Sequence, residues 1–391
     1  MYDVIVVGAG PSGSYIASRL AKFGYKVIVI ERKEAAGEDI CCTGIVGVEC
    51  FHTFNLNATI LRAANSAKFF APSGEFLRLH RDDPQAYILD RPSLDKSLEE
   101  RAQRYGAEYL FSTSVIDVST EPDSASVIVD QQGQQRKLTA GTVVLACGFG
   151  SSLPEKVGLG RINNFVFGAQ AEVGTINVDE VEVYFDQNLL PGFFGWLVPT
   201  RANKGLAGLL VRQDPALRLG NLLSRLKSQG KITSNQVDMK FGTIPMETMR
   251  QTFGKRIIVV GEAAGQVKPT TGGGIYYGLL CADIAANTLH QAFIANDFSP
   301  AKLSVYDKQW RTRLGHELKT DYRARRLYNR LSNQHIEYLF QLSRNNGIPG
   351  LISKWQDFSF DWHRPLISKT LKHLALTAPR QTIKGLLNHS G

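Results

Sequence analysis

Three stretches of this 391-residue chain hold residue types at spacings that could do chemistry: Gly8-x-Gly10-x-x-Gly13, Cys41-Cys42, and Gly261-Glu262-Ala263 followed by Gly272-Gly273-Gly274-Ile275. In the first, Gly8 permits a tight turn, Gly10 lets the backbone approach a pyrophosphate, and Gly13 lets helix and strand pack closely. Pro11 and Ser12 complete the turn, and the helix that follows turns its N-terminus toward negative charge. Glu31 stands 23 residues after Gly8, where a carboxylate can take both ribose hydroxyls. It would repel a 2′-phosphate, so the adenosine half of FAD or NAD fits. In the third stretch, Glu262 ends a strand where an acidic side chain can bond a ribityl hydroxyl. Gly272-Gly273-Gly274-Ile275 opens a helix whose bare N–H groups and dipole would stabilise negative charge at the N1/O2 end of a reduced flavin. The plainer alternative is a loop and helix that only pack closely.

The adjacent thiols allow several readings. The five cysteines (Cys41, Cys42, Cys50, Cys147, Cys281) are odd in number and scattered, without a second paired set or a His cluster at zinc-ligand spacing. Neither a metal nor structural disulfides are therefore expected. A bridge between neighbouring cysteines would also close a strained ring. Either the pair works at a bound group, or it is two buried small hydrophobes.

The elements that must position these residues follow from periodicity. YDVIVV, GAGPSG, SYIASRLAKFG and KVIVIER read as strand, turn, helix and strand, the opening unit of a doubly wound sheet. Residues 34–86 show little regular periodicity. YILDRPSLDKSLEERAQRYGAEYLF gives a strand end, a proline turn and a helix. Ser114–Asp130 and Gln135–Leu138 read as hairpin strands, and GTVVLACGFGS as a buried strand. From Phe165 to Val211 short alternating runs predict an antiparallel sheet, a suitable wall for an apolar substrate. KRIIVVGEAAG returns to the first domain, and the last 90 residues are helical, with Trp310, Leu314, Leu318 and Tyr322 in one stripe. The expected fold is α/β: a Rossmann-like FAD-binding domain (1–160 and 251–300) with an inserted antiparallel β-sheet substrate domain (161–250) and a basic C-terminal helical region (301–391).

Composition sets limits. With 43% hydrophobic and 21% charged residues, the chain reads as an ordinary globular protein. It opens on MYDVIVVGAG without a signal-peptide pattern and has no apolar run of the roughly 18 residues that span a bilayer. A cytoplasmic protein is expected, with peripheral membrane placement left open. The net charge of +9 is uneven: residues 301–391 hold 16 Lys+Arg and 6 Asp+Glu, whereas residues 1–300 hold 29 and 30. Such a tail is a solvated surface, or it meets a phosphate-bearing partner or an anionic membrane. No nucleic-acid module accompanies it.

Taken together, the segments resemble a known group. Gly8-Ala-Gly-Pro-Ser-Gly13, Arg91-Pro-Ser-Leu-Asp95 and Gly261-Glu-Ala-Ala-Gly265 resemble the three FAD signatures of the flavoproteins that include p-hydroxybenzoate hydroxylase, flavin halogenases and geranylgeranyl reductases. Pro191-Gly-Phe-Phe-Gly-Trp-Leu-Val-Pro199 is similar to the reductases' PxxYxWxFP motif, and Cys41-Cys-Thr-Gly44 sits where they carry CxxG. Phe194 and Val198 replace Tyr and Phe of that pattern, Thr43 a common acidic residue, and Glu262 the usual Asp.

The resemblance implies that FAD is held by Gly8, Gly10, Pro11, Ser12, Gly13, Glu31, Arg32, Cys42, Thr43, Gly44, Arg91, Gly261, Glu262, Ala263, Gly272, Gly273, Gly274 and Ile275. Arg91 would lie near the ribityl-pyrophosphate. Phe194, Trp196 and Pro199 would line a cavity for a polyprenyl chain, unless they are sheet core. Cys41 and Cys42 would be catalytic, with Cys41 above the isoalloxazine. Hydrogenating an isoprenoid C=C needs a hydride at one carbon and a proton at the other. The implied activity is FAD-dependent reduction of a geranylgeranyl or polyprenyl group on a lipid, pigment precursor or quinone. A monooxygenase or halogenase acting on an aromatic substrate, and a non-catalytic flavin-containing isoprenoid carrier, are the alternatives. No second GxGxxG unit is evident, so the electron donor would be NADPH docking transiently or reduced ferredoxin.

Overall fold

Two apolar runs rich in β-branched residues, Tyr2–Val7 and Val27–Ile30, pair in parallel with Val4 opposite Val27 and Val7 opposite Ile30. In the computed structural model, which describes residues 1–377, they lie at the centre of an eight-stranded sheet. Its main path runs Phe253–Gly254, Ile257–Val259, Gln134–Leu145, Tyr2–Val7, Val27–Ile30, Glu108–Leu110. Gln134–Leu145 does two jobs. Its first half pairs antiparallel with Ala125–Gln131, which pairs in turn with Ser114–Thr120, and its second half runs parallel to Tyr2–Val7. The expected hairpin and the expected buried strand are thus one continuous element.

Small residues let two helices close over one face of this sheet. Pro11–Lys22 packs Ile16, Ala17 and Leu20 against Ala282, Ala285 and Ala286 of Ile275–Ile294 within one apolar core. A Cβ at Gly13 would stand 2.0 Å from the Gly8 carbonyl oxygen, and one at Gly278 would stand 2.4 Å from Ser12 Oγ. The first, against backbone, admits only glycine; the second would displace the Ser12 hydroxyl.

The alternating segment forms a seven-stranded sheet in the order Met239–Pro245, Phe165–Gly174, Lys204–Val211, Gly195–Pro199, Val181–Tyr184, Ser66–Phe70, Phe76–His80. Its last two strands come from the stretch that shows little periodicity in the sequence. They are half-exposed, and Lys68 and Arg78 on them pair with Glu180, so neither strand carries a long apolar run that would mark it. That stretch also supplies Ile45–Gly47 and Ile60–Ala64, which form a three-stranded sheet with Ala86–Leu89, the strand whose end the sequence marks at YILD. Helix Pro215–Ser228 buries Leu219, Leu222, Leu223 and Leu226 against Ala169, Ala207 and Leu209 on one face of the large sheet. The other face looks toward the Cys41–Gly44 and Gly272–Gly274 loops.

The C-terminal helices are Pro300–Tyr328, Asn333–Asn345, Ile348–Ser353 and His363–Thr377. The expected basic region lies outside the described residues from 378 onward. Along the first helix Trp310, Leu314 and Leu318 are buried, but Tyr322 is 44% exposed. A four-residue spacing overruns a 3.6-residue turn by about 40° per step. The buried seam drifts instead onto Glu317, Asp321 and Arg325. No helix among the described residues is long and apolar enough to cross a membrane.

Candidate active site

The first glycine cluster is built by its own backbone. Gly8 has a φ of +104°, and a Cβ there would lie 2.4 Å from the Ala146 carbonyl oxygen, so the turn admits only glycine. The Gly8 N–H donates to Ile30 O at 2.8 Å, which brings the turn beside the end of the second strand. There Glu31 accepts from the Ala9 N–H (2.8 Å) and the Lys33 N–H (3.0 Å), one on each carboxylate oxygen. A carboxylate oxygen accepts more than one bond, so the fixed group keeps capacity for ribose hydroxyls. No atom lies within 4 Å of the Cβ position at Gly10: the head of helix Pro11–Lys22 is open where a pyrophosphate would approach. Arg32 is exposed beside it.

Ser12 joins this cluster to the second, for its hydroxyl oxygen would stand 2.8 Å from a Cβ at Gly261. The Gly261 N–H donates to Gln266 Oε1 (2.7 Å), whose amide nitrogen donates to the Tyr306 hydroxyl (2.7 Å), which donates to Val259 O (2.9 Å). Every member of that chain is buried, so the Gly261–Gly265 turn is fixed from within. The Gly272 N–H donates to Lys268 O (2.8 Å), and the Lys268 N–H donates to Gly273 O (3.1 Å), which shapes the loop ahead of Ile275. Glu262 sits against Gly274: a Cβ there would meet Glu262 Oε1 at 3.3 Å. The Glu262 side chain is open to the cleft yet deep in the molecule. Depth governs its charge, because a cleft walled by protein solvates poorly. Burial pushes the carboxyl up, Arg91 pulls it down and Asp95 pushes it up again.

Arg91 begins the helix Arg91–Arg104 directly after the cap Asp90, whose side chain accepts from the Ser93 N–H. Its guanidinium pairs with Asp95 at 3.0 Å, both side chains buried. Burial would lower the Arg91 pKa, but Asp95 and Cys42 beside it outweigh that and raise it. Arg91 Nε is buried and has no partner among the described residues, so it keeps a donor to offer an acceptor.

The two thiols diverge. Cys42 Sγ accepts from the Gly44 N–H at 3.4 Å and lies beside Arg91. Its carbonyl accepts from Gln170 Nε2 at 3.3 Å, which ties the loop to the large sheet. Gly44, with φ +71°, turns the chain where a Cβ would stand 2.3 Å from Leu89 O. Cys41 Sγ faces the other way and donates to Lys240 O at 3.5 Å. It packs against Gly242, whose Cβ position lies at an ordinary contact distance of 3.5 Å from Cys41 Cβ. Burial pushes the Cys41 thiol up to about 11, with Cys42 and Glu262 adding to the effect and Lys240 opposing it. Among the described residues, which include all five cysteines, each stands unpaired.

Gly168, Gly208, Leu210, Trp196, Gly242 and Ile244 occupy the cleft-facing registers of the large sheet. The Trp196 indole lies over Gly208, where a Cβ would stand 2.5 Å from its Cζ2. Phe194 is 6.0 Å from it, ring centre to ring centre. Leu210 and Ile244 reach across to Gly272, at 3.1 and 3.2 Å from its Cβ position. The sheet therefore meets the glycine loop directly. Pro199 falls on the alternate register, buried at the end of its strand, and does not join Phe194 and Trp196.

The lycopene cyclase protein family model matches residues 3–344. A digeranylgeranylglycerophospholipid reductase of Methanocaldococcus jannaschii is 30% identical over 356 residues, covering 87% of this chain and 90% of that protein. The chain belongs to the lycopene cyclase protein family, among the geranylgeranyl reductases. It is an FAD-dependent oxidoreductase. Its fold is also that of a geranylgeranyl bacteriochlorophyll reductase-like protein of Thermoplasma acidophilum, with a TM-score of 0.84 at 21% identity over 99% of both chains. A halogenase solved in complex with FAD aligns with a TM-score of 0.68 at 14% identity, over 97% of this chain and 86% of that one.

As a geranylgeranyl reductase family member, the chain presents residues that fit FAD: the open head at Gly10, the unpartnered Arg91 Nε, and the Gly272–Gly274 loop beside Glu262. Sequence reasoning missed Gln170, Lys240, Lys268, Asp361 and Glu49. Gln170 carried a signal, a polar residue inside the apolar run VFGAQAEV. The others carried none, because their partners lie far along the chain.

Proposed function

We propose that this chain hydrogenates carbon–carbon double bonds of geranylgeranyl or polyprenyl chains, with a prenylated phospholipid as the substrate class its relatives favour. The observation that carries the reading is Cys41. It is a thiol held protonated by burial, placed between the cleft face of the large sheet and Glu262. When bound and reduced, FAD supplies a hydride to one alkene carbon. Cys41 Sγ holds the proton for the other carbon, and a thiol pushed up to about 11 stays loaded at neutral pH. Arg91, with Asp95 fixing its fork, binds phosphate oxygens. Trp196 and Phe194 orient an apolar chain and exclude water. Glu31 would hold ribose hydroxyls, and the start of helix Ile275–Ile294 behind Gly274 would face negative charge at the flavin's N1/O2 end, since the Gly272 and Gly273 N–H groups already donate to Lys268 O and Thr271 Oγ1.

The test is anaerobic. Photoreduced holoenzyme is mixed with a digeranylgeranyl phospholipid, reoxidation is followed in the visible spectrum, and product mass is read for gains of two hydrogens. Cys41→Ala is expected to lower that rate by about 10²–10⁴, the usual contribution of a positioned proton donor, while photoreduction proceeds as before. Absence of reoxidation with any isoprenoid, or peroxide and hydroxylated product in air, refutes the reading.

Peripheral membrane contact belongs to the same proposal. Tyr322, Leu327, Leu371 and Leu376 are exposed, and Arg323, Arg326, Lys369 and Lys372 stand near them in the sequence. Apolar side chains among cations suit an anionic lipid surface. Cosedimentation with phosphatidylglycerol vesicles, lost at high salt, is the expected result. NADPH or reduced ferredoxin would be the electron donor, distinguished by anaerobic reduction with each.

A further inference from the structure

Behind the glycine loop lies an ion pair that no part of the proposed mechanism uses. Lys268 Nζ is 2.8 Å from Asp361 Oδ1, and the two side chains are 5% and 3% exposed. A buried pair brings little net stability over well-packed apolar residues, so its position calls for another account. The stem of Lys268 runs under the loop, its Cδ 3.7 Å from the Cβ position of Gly273, while its backbone bonds both Gly272 and Gly273. Its ammonium lies between the rings of Tyr277 and Phe360. Asp361 Oδ2 has no partner among the described residues and fills the space left by Gly47, where a Cβ would stand 2.1 Å away. Gly47 closes the short strand that follows the Cys41–Gly44 loop.

The residues around Asp361 repeat the pattern. Glu49 accepts from the Tyr276 hydroxyl (2.6 Å), Trp362 Nε1 (2.9 Å) and Ser359 Oγ (3.0 Å). Thr270 Oγ1 is 2.7 Å from His363 Nδ1. Segment 359–363 of the C-terminal region thus holds the glycine loop, the start of helix Ile275–Ile294 and the foot of the cysteine loop at once.

We propose that Asp361 and Lys268 are positioning residues of the reductive site: Asp361 locks the Gly272–Gly274 loop to the base of the cysteine loop and cancels the Lys268 charge beneath the flavin. This rests on the placement of the flavin at Gly272–Gly274 given above. The helix N-terminus already carries partial positive charge there. An uncancelled Lys268 would add to it, and an uncancelled Asp361 would oppose it.

The two single variants should therefore act in opposite directions. In FAD-loaded Asp361→Asn at neutral pH, the flavin's oxidised–reduced equilibrium is expected to shift about tenfold toward the reduced form, about 30 mV for a two-electron couple. In Lys268→Met it shifts about tenfold toward the oxidised form. The double variant Lys268→Met/Asp361→Leu keeps the site neutral but unlocked, so its potential stays near that of the parent while FAD binds about tenfold more weakly. Loss of packing alone would move both single variants the same way. Shifts of one sign, no shift in either, or a double variant with parental FAD affinity overturns the proposal. If the single variants do not hold FAD, the double variant decides. Gly274→Ala, whose methyl would press on Glu262 Oε1 at 3.3 Å and Val267 Cγ2 at 3.4 Å, is the control. It weakens FAD binding if the flavin lies there, whatever Asp361 does, and unchanged binding removes the premise and the proposal with it.

Discussion

If Cys41 stores a proton, its thiol must titrate well above neutrality, and the structure says by how much. Burial pushes it up to about 11, so at pH 7.5 the thiolate fraction is about 3 × 10⁻⁴, roughly three hundredfold below that of an ordinary exposed thiol. Alkylation proceeds through the thiolate. The rate at Cys41 should therefore rise about tenfold per pH unit from 7 to 10 and level off only near 11. Slow access of the reagent lowers every point of this curve equally and leaves the midpoint in place. The assay is iodoacetamide labelling of the holoenzyme, with the Cys41 peptide quantified by mass spectrometry. Gly242→Ala provides a structural check. It places a methyl 3.5 Å from Cys41 Cβ, an ordinary contact that keeps the thiol buried and leaves the midpoint within half a unit. A plateau below about pH 9.5 refutes the reasoning. Cys41 would then be a thiolate former suited to nucleophilic chemistry rather than a proton store.

Three further outcomes follow from the geometry. Gly8→Ala should lose about 2–5 kcal/mol of stability, from a left-handed backbone and a Cβ pressed onto Ala146 O; urea unfolding and FAD titration measure it. Arg91→Leu leaves Asp95 buried without its cation, a loss of about 3–5 kcal/mol. Burial already raises the Asp95 carboxyl against the pull of Arg91, and the variant raises it further. The sign follows: stability is retained while Asp95 is protonated and lost as pH rises through its folded pKa. The deficit against the parent should therefore be smaller in melts at pH 5 than at pH 8. Gly208→Ala drives a methyl into the Trp196 indole, a displacement of about 1–3 kcal/mol. It should reduce kcat/KM for the prenyl substrate about tenfold, measured with photoreduced enzyme, and leave FAD affinity unchanged.

What the sequence disclosed is what short spacing can encode. Gly8, Gly10, Gly13 and Glu31 lie within one strand–helix–strand unit, and the bonds from Ala9 and Lys33 to Glu31 follow from that local geometry. The glycines of 272–274 and the aromatic pair Phe194 and Trp196 were visible for the same reason. The strands Ser66–Phe70 and Phe76–His80 were not, because at and next to the sheet edge their side chains stay partly wet and no long apolar run marks them. Tyr322 was misplaced because four-residue spacing drifts around a helix, so the seam passes to Asp321 and Arg325. Asp361 was invisible from sequence, since an ion pair across 93 positions has no period and no local motif.

The Cys41–Cys42 pair shows how neighbouring identical residues come to do different things. Successive side chains of an extended segment point to opposite sides, and two anchors hold the segment in that state: Gln170 on the Cys42 carbonyl, and the left-handed turn at Gly44. One thiol must then face the large sheet and the other Arg91. On the sheet side the Lys240 carbonyl accepts from the thiol, and burial with the Glu262 charge outweighs the opposing pull of the Lys240 cation. All of this favours the neutral thiol. On the other side Cys42 stands beside the guanidinium expected to meet phosphate. The fold is shared with a halogenase solved with FAD, so the scaffold alone does not select the chemistry. A hydride delivered to an alkene is productive only if a proton waits on the substrate side, and Cys41 is the group proposed to hold one.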